Sequence, residues 1–184
     1  MSIRLHGRSV LIRPFRPAEF DVLWANETVD RGEFDAPRSA DDTEAMRRVR
    51  VRVDGSGTWR DGRFLDLAIE AEGALVGDVG ARHDAEMAPP GVFEVGLGLF
   101  PDARGKGYGT EALALLTRYL FQDEQAARVQ LGTDVENVAM RRAAEKAGYR
   151  FEGVMRGFWP VEGGPAHDYA LFARTRADHE GRDG

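Results

Sequence analysis

Near the start of the chain Ile3, Leu5, Val10 and Ile12 fall at strand-like spacing around a His6-Gly7 turn, and Pro14 and Pro17 close the segment. This predicts a strand or hairpin over 3–13. Over 17–26, Phe20, Leu23 and Trp24 stand at i, i+3, i+4 and mark one face of a short helix. Residues 32–37 read as loop. Ser39 followed by Asp42 resembles a capping box that opens a helix with Asp41, Asp42 and Glu44 early and arginines late, ended by Asp54-Gly55-Ser56-Gly57. Two apolar runs, 64–71 and 74–79, flank Glu72-Gly73 and predict a hairpin. After an Ala88-Pro89-Pro90-Gly91 loop, the strand at 92–100 puts Phe93, Val95, Leu97 and Leu99 on one parity and Val92, Glu94, Gly96 and Gly98 on the other. One face is strongly apolar, and the other holds a single carboxylate among small residues.

A Gly-rich turn over 101–109 leads into a helix at 110–122, carried by Leu113, Leu116 and Leu120. Then come a strand at 127–135 and a helix starting near Asn137, with Met140, Ala143, Ala144 and Ala147 as its stripe and Gly148 at its end. Strands at 149–153 and 167–173 close the pattern. Helices and strands alternate in the second half, which makes the class α/β or mixed α+β with part of the sheet parallel.

The chain has 184 residues, 42% hydrophobic and 30% charged, which is ordinary globular usage and predicts one domain over 1–176. The polar residues 177–184 are expected to be a disordered tail. With no cysteine there is no disulfide, no Cys-ligated metal and no thiol nucleophile. The first residues lack the apolar core and cleavage site of a signal peptide, and no window approaches about 18 uninterrupted apolar residues. A cytoplasmic protein without membrane contact is expected. The net charge of −6 argues against a nucleic-acid footprint and mildly favours cationic partners such as amines. All but two of the 25 basic residues are arginine. The arginines at 47–52 read as the solvated end of a helix, since acids first and bases last suit its macrodipole.

Chemistry concentrates in Phe100-Pro-Asp-Ala-Arg104-Gly105-Lys106-Gly107-Tyr108-Gly109-Thr110, a strand end that runs through glycines into a helix. Glycines let successive N–H groups converge on an anion, the helix N-terminus adds partial positive charge, and Arg104 and Lys106 add full charges. The segment fits neither G-x-x-x-x-G-K-[ST] nor G-x-G-x-x-G. Arg104-x-x-Gly107-x-Gly109 does resemble the R/Q-x-x-G-x-G/A signature of the GNAT superfamily of acyl-CoA-dependent N-acetyltransferases. The Leu5…Leu11-Ile12-Arg13-Pro14 opening, Glu94-Val95-Gly96, Asn137…Arg141…Glu145-Lys146-Ala147-Gly148-Tyr149…Glu152-Gly153…Arg156 and Asp168-Tyr169-Ala170-Leu171-Phe172 look like the branch of ribosomal-protein N-terminal acetyltransferases. The resemblance spans about residues 3–174 and is weakest over 30–63.

It implies the GNAT fold: a twisted mixed sheet of about seven strands, splayed between the fourth and fifth, here 92–100 and 127–135, and flanked by about four helices. Acetyl-CoA would occupy the splay, its pyrophosphate on N–H groups from Arg104, Gly105, Lys106, Gly107, Tyr108, Gly109 and Thr110. Its arm would pair with backbone near Leu97, Leu99 and Phe100, with Asn137 against it. Asn137 is equally explained as a helix N-cap. Amine acetylation needs a proton acceptor, an oxyanion donor and help for the departing thiolate. A backbone N–H near 97–99 would serve the oxyanion, and Glu94 matches a carboxylate frequent in the branch, as base; pairing with an arginine explains it equally well.

Relatives often carry a Tyr or Ser proton donor where this chain has Ala144 and Met140, which leaves water, Tyr149 or Tyr169. The four histidines, His6, His83, His167 and His179, show no metal-ligand spacing, so no metal is expected. His167 beside Asp168 reads as a surface residue more readily than as a base, and Trp24, Phe34, Trp59 and Trp159 are either acceptor-cleft or core aromatics. The acceptor expected is a protein N-terminal amine or a small cationic amine. The alternatives are another acyl-CoA such as succinyl-CoA, or a cofactor-binding sensor without turnover. A homodimer is carried over from the resemblance alone.

Overall fold

The computed structural model of the protein describes residues 2–29, 39, 41–84, 86, 88–161 and 163–181; the loop expected at 32–37, Phe34 included, lies outside them. Strands β1 (Leu5–His6) and β2 (Leu11–Arg13) are followed by a 3-10 turn and the helices α1 (Phe20–Val29) and α2 (Thr43–Asp54). Next are β3 (Phe64–Ala71), β4 (Ala74–Arg82), β5 (Val92–Leu99), α3 (Tyr108–Gln122), β6 (Arg128–Asp134), α4 (Val138–Lys146), β7 (Arg150–Trp159), β8 (His167–Thr175) and α5 (Arg176–Glu180). The strands make one mixed sheet in the order β1-β2-β3-β4-β5-β6-β8-β7, antiparallel except at β5–β6. It has eight strands rather than about seven because the first apolar segment turns back on itself, Gly7 N–H bonding Val10 O at 2.9 Å.

Three local readings are corrected. The cap of α2 is Asp42, whose side chain accepts the Ala45 N–H at 2.8 Å, while Ser39 only reaches Asp41. Strand β7 runs on past Gly153 to Trp159, taking up the extra residues as register irregularities against β8. The tail is ordered through Gly181 as a fifth helix. Thr175 and Asp178 cap each other reciprocally, and His179 is buried with its ring stacked on Phe121 at 4.8 Å. Among the described residues no helix is long and apolar enough to cross a membrane.

Residues directly opposite in a ladder share a face, so the registers assign the faces of the sheet. On β3, Leu65, Leu67 and Ile69 join the larger core, which α3 closes with Leu113, Leu116 and Leu120. Asp66, Ala68 and Glu70 point the other way, where Ala68 packs with Phe20 and Leu23 of α1 and Val49 and Val53 of α2. This second face is held by arginines. Arg13, only 1% exposed, binds Glu19 at 2.5 Å and Glu70 at 2.8 Å, and Arg16 joins Glu70 at 2.7 Å. The four side chains fasten the entry to α1 onto β2 and β3.

Burial pushes the Glu19 carboxyl up, but hydrogen bonds from Arg13 and from the Arg16 N–H outweigh it, and the group titrates below the usual carboxylate range. The Arg13 hydrogen bond holds Glu70 low as well. Both carboxyls are therefore more acidic folded than unfolded, so their stabilisation is fully present above roughly pH 4.3 and is lost as pH falls below it. Glu19→Gln should flatten that acid slope. At neutral pH it should cost about 1–3 kcal/mol, because Arg13 keeps Glu70 but loses the charge of its second carboxylate, which thermal melts from pH 3 to 7 would read directly.

Candidate functional site

Strands β5 and β6 pair over only three positions, Val92 with Arg128, Phe93 with Val129 and Glu94 with Gln130, and then part. Each is held by its outer neighbour: β5 by β4 through to Gly77–Leu99, β6 by β8 through to Asp134–Tyr169. A cavity of about 880 Å³ fills the gap and is lined from both faces of the sheet. Its size is that of sites for small molecules and cofactors.

On the α3 face the wall is Leu97, Leu99 and the Gly-rich turn, while Phe100 packs against the smaller core on the other face. Gly105 and Gly107 have φ of +75° and +86°, and a Cβ at either would meet nothing within 4 Å, so the left-handed backbone opens toward space rather than protein. Gly107 is the N-cap of α3 and has no side chain to offer, which leaves the first-turn N–H groups of the helix for an outside anion. Gly109 is needed for a different reason: a Cβ there would press Leu99 and Leu97 at 3.3 and 3.4 Å. Arg104 lines the cavity and ties its Nε back to Leu99 O at 3.1 Å. Across the gap α4 contributes Arg142 and Lys146 one turn apart, together with Ala139, Met140 and Ala143. Asn137 caps α4, its Oδ1 accepting the Met140 N–H at 3.0 Å, and also lines the cavity.

On the opposite face the wall is Leu23 and Asn26 of α1, Arg52 of α2, Asp78 of β4, Gly98 of β5, Gly132 and Asp134 of β6, Trp159 of β7 and Tyr169 of β8. Arg52 is not a solvated helix arginine. Its guanidinium binds Asp66 Oδ1 at 3.3 Å and Asp78 Oδ2, and Arg60 holds the other oxygen of Asp66 at 2.8 Å. Arg47 and Arg48, by contrast, pair with Glu44 on the exposed side as a solvated face would. Asp134, with its side chain 3% exposed, accepts the Glu136 N–H at 2.8 Å and lies 2.5 Å from His167 Nδ1. The partner of His167 is thus Asp134 and not Asp168, which accepts the Gly157 N–H.

Of the residues singled out in the sequence, Leu97, Leu99, Phe100, Arg104, Gly105, Gly107, Gly109, Thr110, Asn137, Trp159 and Tyr169 line the cavity. Lys106 and Tyr108 are outside that lining; the Tyr108 hydroxyl donates to Glu72 at 3.2 Å. Glu94 is outside it too, still within the paired part of β5 and bound to Arg82 at 2.6 Å. Trp24 packs against the second core cluster, and Trp59 donates to Glu124 and packs on Phe93. Tyr149 is buried beside Thr117, with hydroxyls 2.5 Å apart, and burial pushes its phenol up. It faces the core, which leaves Tyr169 as the tyrosine at the cavity.

Residues 9–150 match the family described as the acetyltransferase (GNAT) domain. YjcK of Bacillus subtilis (strain 168), named a probable N-acetyltransferase, is 27% identical over 183 residues, 96% of this chain and 99% of its own. Among solved structures, Mycobacterium smegmatis RimJ in complex with CoA-disulfide has a TM-score of 0.76 at 22% identity, covering 96% of this chain and 88% of its own. The microcin C7 self-immunity acetyltransferase MccE, solved with acetyl-CoA and AMP, has a TM-score of 0.76 at 15% identity, covering 92% and 93%.

Tyr149→Phe removes one buried hydrogen bond and nothing at the cavity. It should lower the melting temperature by about 2–4 °C, the equivalent of about 1 kcal/mol in a chain of this length, and leave CoA affinity unchanged by calorimetry.

Proposed function

The chain belongs to the GNAT acetyltransferase family, and we propose that it transfers the acetyl group of acetyl-CoA directly to a primary amine, either a protein N-terminal amine or a small-molecule amine. The observation that carries the reading is the open Gly105–Gly107 cradle at the start of α3, which faces a cavity passing between β5 and β6. A pyrophosphate is what such a cradle accommodates: uncapped N–H groups, the positive end of a 15-residue helix, and Arg104 alongside. Arg142 and Lys146 add positive charge on the same face for a further phosphate. RimJ and MccE were solved with CoA-disulfide and with acetyl-CoA, which supports the same cosubstrate here.

Bound there, acetyl-CoA supplies a thioester, an acyl donor already activated toward amines. The chain's own part is placement and charge. Backbone groups of β5 beyond Glu94 have no partner on β6, so they are available to align a pantetheine arm as an added strand. An N–H in the same stretch, near Leu97 to Leu99, is positioned to stabilise charge developing on the thioester oxygen. Met140 at the cavity and the fully buried Ala144 carry no proton donor, so the leaving sulfur is protonated by Tyr169 or by water. The N-terminal-amine reading of the acceptor rests on the branch likeness, and the small-amine reading on the carboxylates of the opposite wall.

Calorimetry with acetyl-CoA, CoA and succinyl-CoA tests the cofactor half. The wild type should bind acetyl-CoA with a Kd of about micromolar, and an Arg104→Ala, Gly107→Ala double variant should bind at least about tenfold more weakly. A panel of peptides and amines, followed by CoA release, tests the acceptor. Absence of acetyl-CoA binding overturns the reading, and tight binding without transfer to any amine converts it to a sensor.

A further inference from the structure

The wall of the cavity away from the glycine cradle holds two carboxylates, and they are in different states. Asp134 is saturated: one oxygen takes the Glu136 N–H and the other lies against His167. Asp78 is half used. Its Oδ2 is bound by Arg52, whereas its Oδ1 stands over Gly98, 3.4 Å from where a Cβ of that residue would be, and receives no hydrogen bond from the described residues. Gly98 belongs to the splayed part of β5, between Leu97 and Leu99, so this oxygen faces the reacting end of the gap from the side opposite the cradle. Gly96, next on the same face, would meet none of the described residues within 4 Å if it carried a Cβ, so the backbone two residues before Gly98 is bare as well.

Resting on the acetyl-transfer reading above, we infer that Asp78 is the acceptor-binding carboxylate of this enzyme: it receives the ammonium of a primary amine over Gly98 and takes its proton. Arg52 is its positioning residue, fixed from behind by Asp66 and Arg60. The contact to Asp66 Oδ1, with Arg60 on the other oxygen of Asp66, and the contact to Asp78 Oδ2 hold the Asp78 carboxylate and leave its Oδ1 toward the cavity. In the step, one ammonium proton passes to Asp78 Oδ1 and the nitrogen lone pair forms the C–N bond at the thioester carbonyl. The C–S bond breaks, the second proton shed by nitrogen ends on the CoA sulfur, and Asp78 returns its proton to solvent. The products are the amide, the thiol and one proton, as the stoichiometry requires.

The test uses the full chain saturated with CoA, titrated with glycinamide and with 1,4-diaminobutane, each a minimal ammonium probe. The wild type should show saturable binding of at least one. Asp78→Asn should weaken it about tenfold or more and, for any amine that is turned over, cut kcat/KM at least about 100-fold, with the KM for acetyl-CoA unchanged. Tyr149→Phe lowers the melting temperature without reaching the cavity and serves as the stability control; it should change amine binding less than about threefold. Should Asp78→Asn not fold, Gly98→Val decides instead, because its methyls shield Oδ1 and leave the Arg52 pair intact: amine binding should fall about tenfold with CoA binding retained. The inference is overturned if neither probe saturates the CoA complex, if Asp78→Asn binds like the wild type, or if Tyr149→Phe loses as much as Asp78→Asn. Failure of the acetyl-transfer reading shows separately, as loss of CoA binding in the wild type.

Discussion

The parting of β5 from β6 is the constraint around which the rest of the molecule is arranged. Two parallel strands in the middle of an eight-stranded sheet stop pairing after Glu94 and Gln130, and the facing N–H and C=O groups beyond that point lose their ladder. Such a gap is tolerable only if each strand is secured on its far side and if the gap is wet or filled, since unpaired buried backbone is costly. Both conditions hold. The antiparallel ladders to β4 and β8 continue beyond the parting, and extra bonds extend each: Phe100 N–H to Val76 O at 2.9 Å, and Val135 N–H to Asp168 O at 3.0 Å. Helices α3 and α4 both begin at the splayed end, one after the Gly-rich turn without a side-chain cap and one capped by Asn137, so two helix N-termini border the same space.

Arginine does on one face of this sheet what leucine does on the other. The larger core under α3 is aliphatic and aromatic. The smaller one under α1 and α2 is interrupted by Arg13–Glu19–Glu70 and Arg52–Asp66–Asp78. Pairs of this kind add little net stability over apolar residues of the same volume, but losing one partner is expensive because the other is left charged in a poor solvent. Asp66 and Glu70 of β3 and Asp78 of β4 are the strand-borne acids, so a one-residue slip of either strand would turn its own acids toward α3. The arginines thus fix register, and register is what delivers Asp78 to Gly98.

What the sequence disclosed follows from how local each signal is. The glycine cradle, the parity of β5 and the helices on either side of the gap are written in contiguous residues, and they stand where periodicity put them. Contiguity does not show where side chains go: Lys106 and Tyr108 share a motif with their neighbours, and the Tyr108 side chain turns away to Glu72. Glu94 is isolated on its strand face in one dimension and paired with Arg82 in three, because the two are opposite each other in the β4–β5 register. Asp78, Arg52, Asp134 and Trp159 come from four separate elements and carry no motif; only the strand pairing brings them together. The helix over the last residues did have a signal, Thr175-x-x-Asp178, which the polar composition around it obscured.

The charges lining the cavity are sorted by face, and the sorting bears on the chemistry more directly than any one residue. Arg104, Arg142 and Lys146 stand on the α3–α4 side; Asp78 and Asp134 stand on the other, where Arg52 is already matched by two aspartates. A polyanionic cosubstrate and an ammonium acceptor would be drawn to opposite mouths of one passage, and Coulomb interactions in so confined a space are weakly screened. The two reactants need not displace each other to enter. They would meet where the sheet is open, between Gly98, over which Asp78 stands, and Gly132, beside Met155 and Tyr169.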